Sequence, residues 1–119
     1  MMAYVEGFVV PVKTARKADY IAMSRAAAAL YLENGATRCV ETWADDVPYG
    51  ERTSFPRAVE LAEDETAAFS WMEFSDRATR DAAHKAVFED PRMAALMDLD
   101  LVAGPRMIFG GFDVIMDEA

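Results

Sequence analysis

Cysteine occurs once in these 119 residues, at Cys39, and histidine once, at His84. A lone cysteine excludes an internal disulfide and any metal centre built from several thiolates, which removes zinc-ribbon and iron–sulfur chemistry and fits a reducing, cytoplasmic compartment. Basic residues are also scarce, with 12 Lys and Arg against 21 Asp and Glu, for a net charge of −9 and a pI near 4.5. A surface of that sign repels phosphate backbones and anionic headgroups, so neither nucleic acid nor membrane is an expected partner. The one basic cluster, Lys13, Arg16 and Lys17, is too small to offset it. No apolar run approaches the ~20 residues that cross a bilayer. Residues 1–6 (MMAYVE) show no basic stretch leading into an apolar one, as a secretory leader would. Composition breaks and linkers are missing too, so residues 1–119 are expected to form one domain.

Apolar residues make up 53% of the chain, enough for one packed core. Residues 4–12 (YVEGFVVPV) concentrate aromatic and β-branched types and predict a first strand. It should end or lie at an edge near Pro11, which has no amide to donate. Over 14–34 the period changes: Tyr20, Met23, Ala27, Leu30 and Tyr31 recur at three- and four-residue steps, the mark of an amphipathic helix. Thr14 suits its start and Asn34-Gly35 its end. Residues 37–45 alternate, with Cys39, Glu41, Trp43 and Asp45 on one face of a second strand and Arg38, Val40, Thr42 and Ala44 on the other. A long connection, 46–64, carries Pro48, Gly50 and Pro56 and one helical turn over 54–61.

The third strand, 66–74, sets Ala67, Phe69, Trp71 and Glu73 against Ala68, Ser70, Met72 and Phe74. Ser75 and Asp76 cap a second long helix reaching Phe88, with Asp81 and Lys85 at ion-pair spacing. Asp90-Pro91 starts a short helix to Met97, and 107–115 (MIFGGFDVI) reads as the last strand, where Gly110-Gly111 permits a bulge or a close backbone approach.

This order predicts an α+β, ferredoxin-like (βαββαβ) fold: an antiparallel sheet with its helices on one face. Large apolar residues, Phe8, Val9, Val10, Val40, Trp43, Phe69, Trp71, Met72, Phe109 and Phe112, populate both faces of the strands. A second cover is therefore needed, and a second copy of the chain supplies it most simply, giving a homodimer. The competing cover is the chain itself, through 46–64 or 91–103, both rich in polar residues.

The motifs YVEGFVVPV, ETWADDVPYG, TAAFSWMEFSDRATRDAAHKAVFEDPRM and PRMIFGGFDVI together resemble the YbaA-like family of uncharacterised bacterial proteins, placed in the dimeric α/β-barrel superfamily. The resemblance spans nearly the whole chain. It implies a ferredoxin-like fold and a homodimer whose sheets close into a barrel, and it implies no established activity, because that superfamily holds monooxygenases, haem-degrading enzymes, isomerases and regulatory proteins alike.

Candidate chemistry rests on few side chains. His84 is the one imidazole available for proton transfer, but its helical neighbours Arg77, Arg80 and Asp81 predict an exposed or half-exposed position. Glu41 and Glu73 share strand faces with Trp43 and Trp71, and a carboxyl walled by indole rings would have its pKa raised, as a general acid needs. Pairing with Arg38, Arg57 or Arg106 is the plainer expectation for both. Asp45 and Asp46 form an acidic turn without regular ligand spacing, so neither metal nor cofactor is expected. Cys39 reads as an inert strand residue. Three functions follow: a binder of a small apolar or aromatic molecule in a pocket edged by Trp43, Trp71 and 46–64; a cofactor-free monooxygenase- or isomerase-like enzyme using Glu41, Glu73, Asp45 or His84; or a structural or regulatory protein meeting a basic target.

Overall fold

A computed structural model describes residues 3–119. Four strands, β1 (Tyr4–Lys13), β2 (Arg38–Glu41), β3 (Glu65–Phe74) and β4 (Ile108–Asp113), form one antiparallel sheet in the order β2-β3-β1-β4. Helix α1 (Lys17–Glu33) joins β1 to β2, and α3 (Arg77–Phe88) and α4 (Pro91–Leu96) lie between β3 and β4. The 46–64 connection holds a single helical turn, α2 (Phe55–Ala58), capped by the Ser54 hydroxyl accepting from the Arg57 amide.

β1 does not stop at Pro11. The β4 ladder ends at the Val9–Ile108 pair, so the side of Pro11 where an amide would be needed faces only the Ala103 amide, which donates to the Pro11 carbonyl. The helix boundaries also differ from expectation at one end. Thr14 begins a 3-10 turn rather than capping α1, and its hydroxyl is spent on that of Thr66. At the other end Gly35 takes φ +114°, where L residues are strained. β2 is shorter than the alternating pattern, although the Thr42 and Ala44 amides still donate to Phe69 and Ala67 carbonyls. Asp76 and Asp90 cap α3 and α4 through side-chain acceptance from Thr79 and Arg92 amides. Asp81, expected to pair with Lys85, instead meets Arg80 at 2.8 Å and Arg77 at 3.5 Å.

Register follows the alternation. Across the helix-covered face run the rows Cys39, Met72, Glu6, Gly111 and Glu41, Ser70, Phe8, Phe109. Over that face Leu30 and Tyr31 of α1, Ala83 and Val87 of α3, and Met93 and Leu96 of α4 pack on Tyr4, Met72 and Phe74. A second cluster joins Tyr20, Val10, Val12, Ala68 and Leu101. The opposite face is covered only at one end, where Val59 and Leu61 pack on Val9, Ala67 and Ala44. There Arg106 ties the chain down by donating to the Val59 and Glu60 carbonyls and to both oxygens of Glu65. Beyond that end Phe69, Ile108 and Phe112 stay exposed, so the connection supplies part of the second cover and leaves the rest of this face open.

No helix among the described residues is long and apolar enough to cross a membrane.

Candidate functional site

Glu6 is the one charged residue of β1 ahead of Lys13, and its even position turns it under the helices with Tyr4, Phe8 and Val10. Its side chain is 1% exposed. Arg80 Nη1 donates to Glu6 Oε1 at 2.7 Å, and His84 Nε2 lies 3.1 Å from the same oxygen. Arg80 also donates to the Tyr4 hydroxyl and lies over the Tyr4 ring. The imidazole is held on all sides: Nδ1 is 2.9 Å from the Tyr31 hydroxyl, Tyr31 meets the ring edge-on, and Phe88 stacks on it at 4°. Burial, then the negative charge of Glu6, pushes the Tyr31 phenol up to about 12. His84 is thus half-exposed, within the range its helical neighbours predict, with both ring nitrogens engaged. Sequence reasoning missed Glu6, Arg80 and Tyr31. The signal was the i, i+3, i+4, i+7 stripe Arg80, Ala83, His84, Val87, whose apolar members are fully buried.

Glu41 lies on the same face, where Tyr20 donates its hydroxyl to Oε1 at 2.5 Å. The residue shows surface to solvent, but its carboxyl end is tucked beneath α1. Desolvation there raises its pKa above the usual glutamate range, against the lowering bonds from Tyr20 and Ser70. Trp43 sits near Tyr20, with ring centroids 6.4 Å apart, and carries Lys17 over its ring.

Glu73 and Trp71 belong to the opposite face. Trp71 Nε1 donates to Glu73 at 2.9 Å, and Arg38 stands 3.8 Å from the same carboxylate. The β2–β3 register pairs Arg38 with Glu73 and Glu41 with Ser70. The two glutamates therefore face opposite sides of the sheet, as do Trp43 and Trp71, and neither pair can edge one pocket. Asp45 and Asp46 are exposed. Among the described residues no group of three or more His, Cys, Asp or Glu side chains is placed to hold a metal ion. Burial raises the Cys39 thiol, away from nucleophilic use at neutral pH.

Among the described residues two clefts stand out. One, of about 460 Å³, is lined by Lys13, Glu65, Leu99, Asp100, Ala103 and Arg106, and its cations are committed to ion pairs with Asp64 and Glu65. The other, of about 170 Å³, lies on the open face between the sheet and the 46–64 connection. Val9, Ala44 and Ala67 form its floor, and Val47, Phe55 and Phe69 its walls. Phe55 meets Phe69 edge-to-face at 5.6 Å, and Trp71 stands beside Phe69 at 5.8 Å. It is an almost wholly apolar slot with aromatic walls, suited to an apolar or single-ring guest.

Residues 3–102 match the family described as "Protein of unknown function (DUF1428)". The chain is 46% identical over 117 residues to the "Uncharacterized protein YbaA" of Escherichia coli strain K12, covering 98% of this chain and 100% of that protein. The same values hold for the protein of that name from Shigella flexneri. The chain belongs to the DUF1428 family of YbaA-like proteins, whose function is unknown.

Proposed function

We propose that this protein is one half of a homodimeric α/β barrel of ferredoxin-like subunits, and that it binds a small apolar or aromatic molecule. The strand order and helix placement support the subunit architecture, and the bare apolar face supports the pairing. The observation that carries the binding reading is the cleft of Val9, Ala44, Val47, Phe55, Ala67 and Phe69, where no charged side chain lines the wall. Its volume is close to the ~150 Å³ of an apolar protein cavity able to hold benzene. A catalytic reading has less support. Glu41, Glu73, Asp45 and His84 are dispersed over the two faces, and the buried polar cluster at Glu6 is satisfied from within.

The test is an amide chemical-shift titration with indole. Shifts are expected around Ala44, Ala67 and Phe69, and Ala67→Leu, which fills the floor of a buried site at a cost of about 1–3 kcal/mol, should abolish them while keeping a dispersed, folded amide spectrum. Absence of shifts in the parent, or identical shifts in A67L, overturns the reading.

A further inference from the structure

The apolar cleft opens on the same side of the sheet as the bare face, and this shared orientation has a consequence for how it is closed. Ile108, Val9 and Phe69 stand in one row across β4, β1 and β3, so Ile108 and Phe69 are two strand spacings, or about 10 Å, apart. Anything laid flat on Ile108 and Phe112 therefore reaches the rim of the cleft, where Phe55 and Phe69 are 48% and 46% exposed.

The chemistry of the face identifies what is laid there. In a chain with 28% charged residues and a net charge of −9, β1, β3 and β4 present Val5, Gly7, Trp71, Ile108, Gly110 and Phe112 to this side. The charged strand residues at its ends are already paired, Arg38 with Glu73, Lys13 with Asp64 and Glu65 with Arg106. Such a face offers nothing for a basic target to read. It is, however, a surface on which two chains of the same sign can meet without bringing uncompensated charges together. Its middle is smooth, because Gly7 and Gly110 are paired and the Phe112 ring lies over both, 3.7 Å from where a Cβ would stand. The strand residues that face this way and are not already buried by the chain's own connection cover roughly 350 Å² of flat sheet, at ~3.3 Å per residue and ~4.8 Å per strand. Two such faces supply about 700 Å², and the relief of the exposed Phe69, Ile108 and Phe112 side chains and the exposed 46–53 segment extend the contact toward the ~1,000 Å² that a specific pair needs.

We infer that a second copy of this chain closes the open side of the cleft, so that each ligand site is completed by the partner's sheet face and ligand uptake and dimerisation are thermodynamically linked. The inference rests on the binding reading above. Linkage requires reciprocity: the guest tightens the dimer by the same factor by which dimerisation tightens the guest.

Phe112 does not line the cleft of its own chain and is 62% exposed, so Phe112→Asp tests the linkage without touching the floor or walls. Sedimentation velocity with and without indole, together with the amide titration, reads both sides. The expected result is a dimeric parent whose dissociation constant falls on adding indole, and a monomeric F112D that binds indole at least tenfold more weakly. Should F112D not fold, dilution of the parent through its dimer dissociation range replaces it, with indole affinity falling in step. A monomeric form that binds indole as tightly as the dimer overturns the linkage and leaves the cleft standing as a binding site. A parent that stays monomeric at all concentrations overturns it as well. Loss of indole binding in the dimeric parent removes the cleft reading itself.

Discussion

Gly111→Ala places one methyl group where the structure has least room. An alanine Cβ at that position would stand 2.2 Å from the Tyr4 hydroxyl and 2.7 Å from Arg80 Nη1. Tyr4 is 7% exposed and cannot swing aside, so Arg80 must give way, and Arg80 is the guanidinium partner of the buried Glu6. Overpacking a filled site costs about 1–3 kcal/mol, and stripping a buried charge of its partner costs about 3–5 kcal/mol. Since Arg80 is displaced rather than removed, the net loss expected is about 2–4 kcal/mol, roughly 8–16 °C in Tm for a domain of this length. The neighbouring glycine is the control. At Gly110 a Cβ would meet only the Phe112 ring at 3.7 Å, an ordinary contact, so Gly110→Ala should stay within about 1 kcal/mol of the parent. Urea unfolding of both variants, with Tm by circular dichroism, decides the matter. A G111A protein melting within 2–3 °C of the parent, or a G110A protein as damaged as G111A, would refute the close approach at Gly111 as the cause.

Glu41 and Glu65 should act on stability with opposite signs. Arg106 holds Glu65 below the usual glutamate value of 4.5, so its stabilisation is whole above that pH and is lost as pH falls through the lower folded value. Glu65→Gln should lower Tm at pH 7 and soften the acid limb of a Tm–pH profile. Burial holds Glu41 above 4.5, so its ionisation costs stability as pH rises from the unfolded to the folded value, and Glu41→Gln should raise Tm at pH 7. Asp76→Ala removes the acceptor of the Thr79 amide at the start of α3 and should cost about 1 kcal/mol in urea unfolding, whereas Asp76→Asn should cost less. Tyr31→Phe leaves His84 Nδ1 without its phenol partner; a loss of about 1 kcal/mol, with a moved His84 ring resonance in NMR, is expected, and an unmoved resonance would contradict the contact.

Much of the architecture was legible because alternation and helical period report burial directly. The parity of Ala68, Ser70, Met72 and Phe74 separated the two faces of β3, though not which of them the helices cover, and Asp76 and Asp90 marked two helix starts through the chemistry of capping. Asp81 turned from Lys85 to Arg80 because Arg80 is anchored at Glu6, and a tertiary anchor outranks an i, i+4 preference. The candidate site was less legible for a related reason. Charged residues were read as surface residues, so Glu6 within a strand and Arg80 within a buried stripe went unread as partners of His84, although their positions alone gave them away. Each of Glu41 and Glu73 shares a face with a tryptophan in its own strand, which by itself does not say how the two strands align. Only the register, which no single strand contains, puts the two glutamates on opposite sides.

The central position of β1 sets the order of events in folding. Its two neighbours are β3, some 60 residues along the chain, and β4, which begins at Ile108. The first strand therefore has no sheet partner while α1 and β2 are being made, and its last ladder waits for residues 108–113. Contacts of such sequence separation close slowly, because loop entropy is lost before pairing repays it. On a ribosome adding roughly 5–20 residues per second, the segment from Tyr4 to Val12 spends several seconds as an apolar, unpaired strand. The lone Glu6 near its start then has a second use: a carboxylate buried in the finished fold is an exposed charge in the nascent one, interrupting the segment best able to associate with another chain.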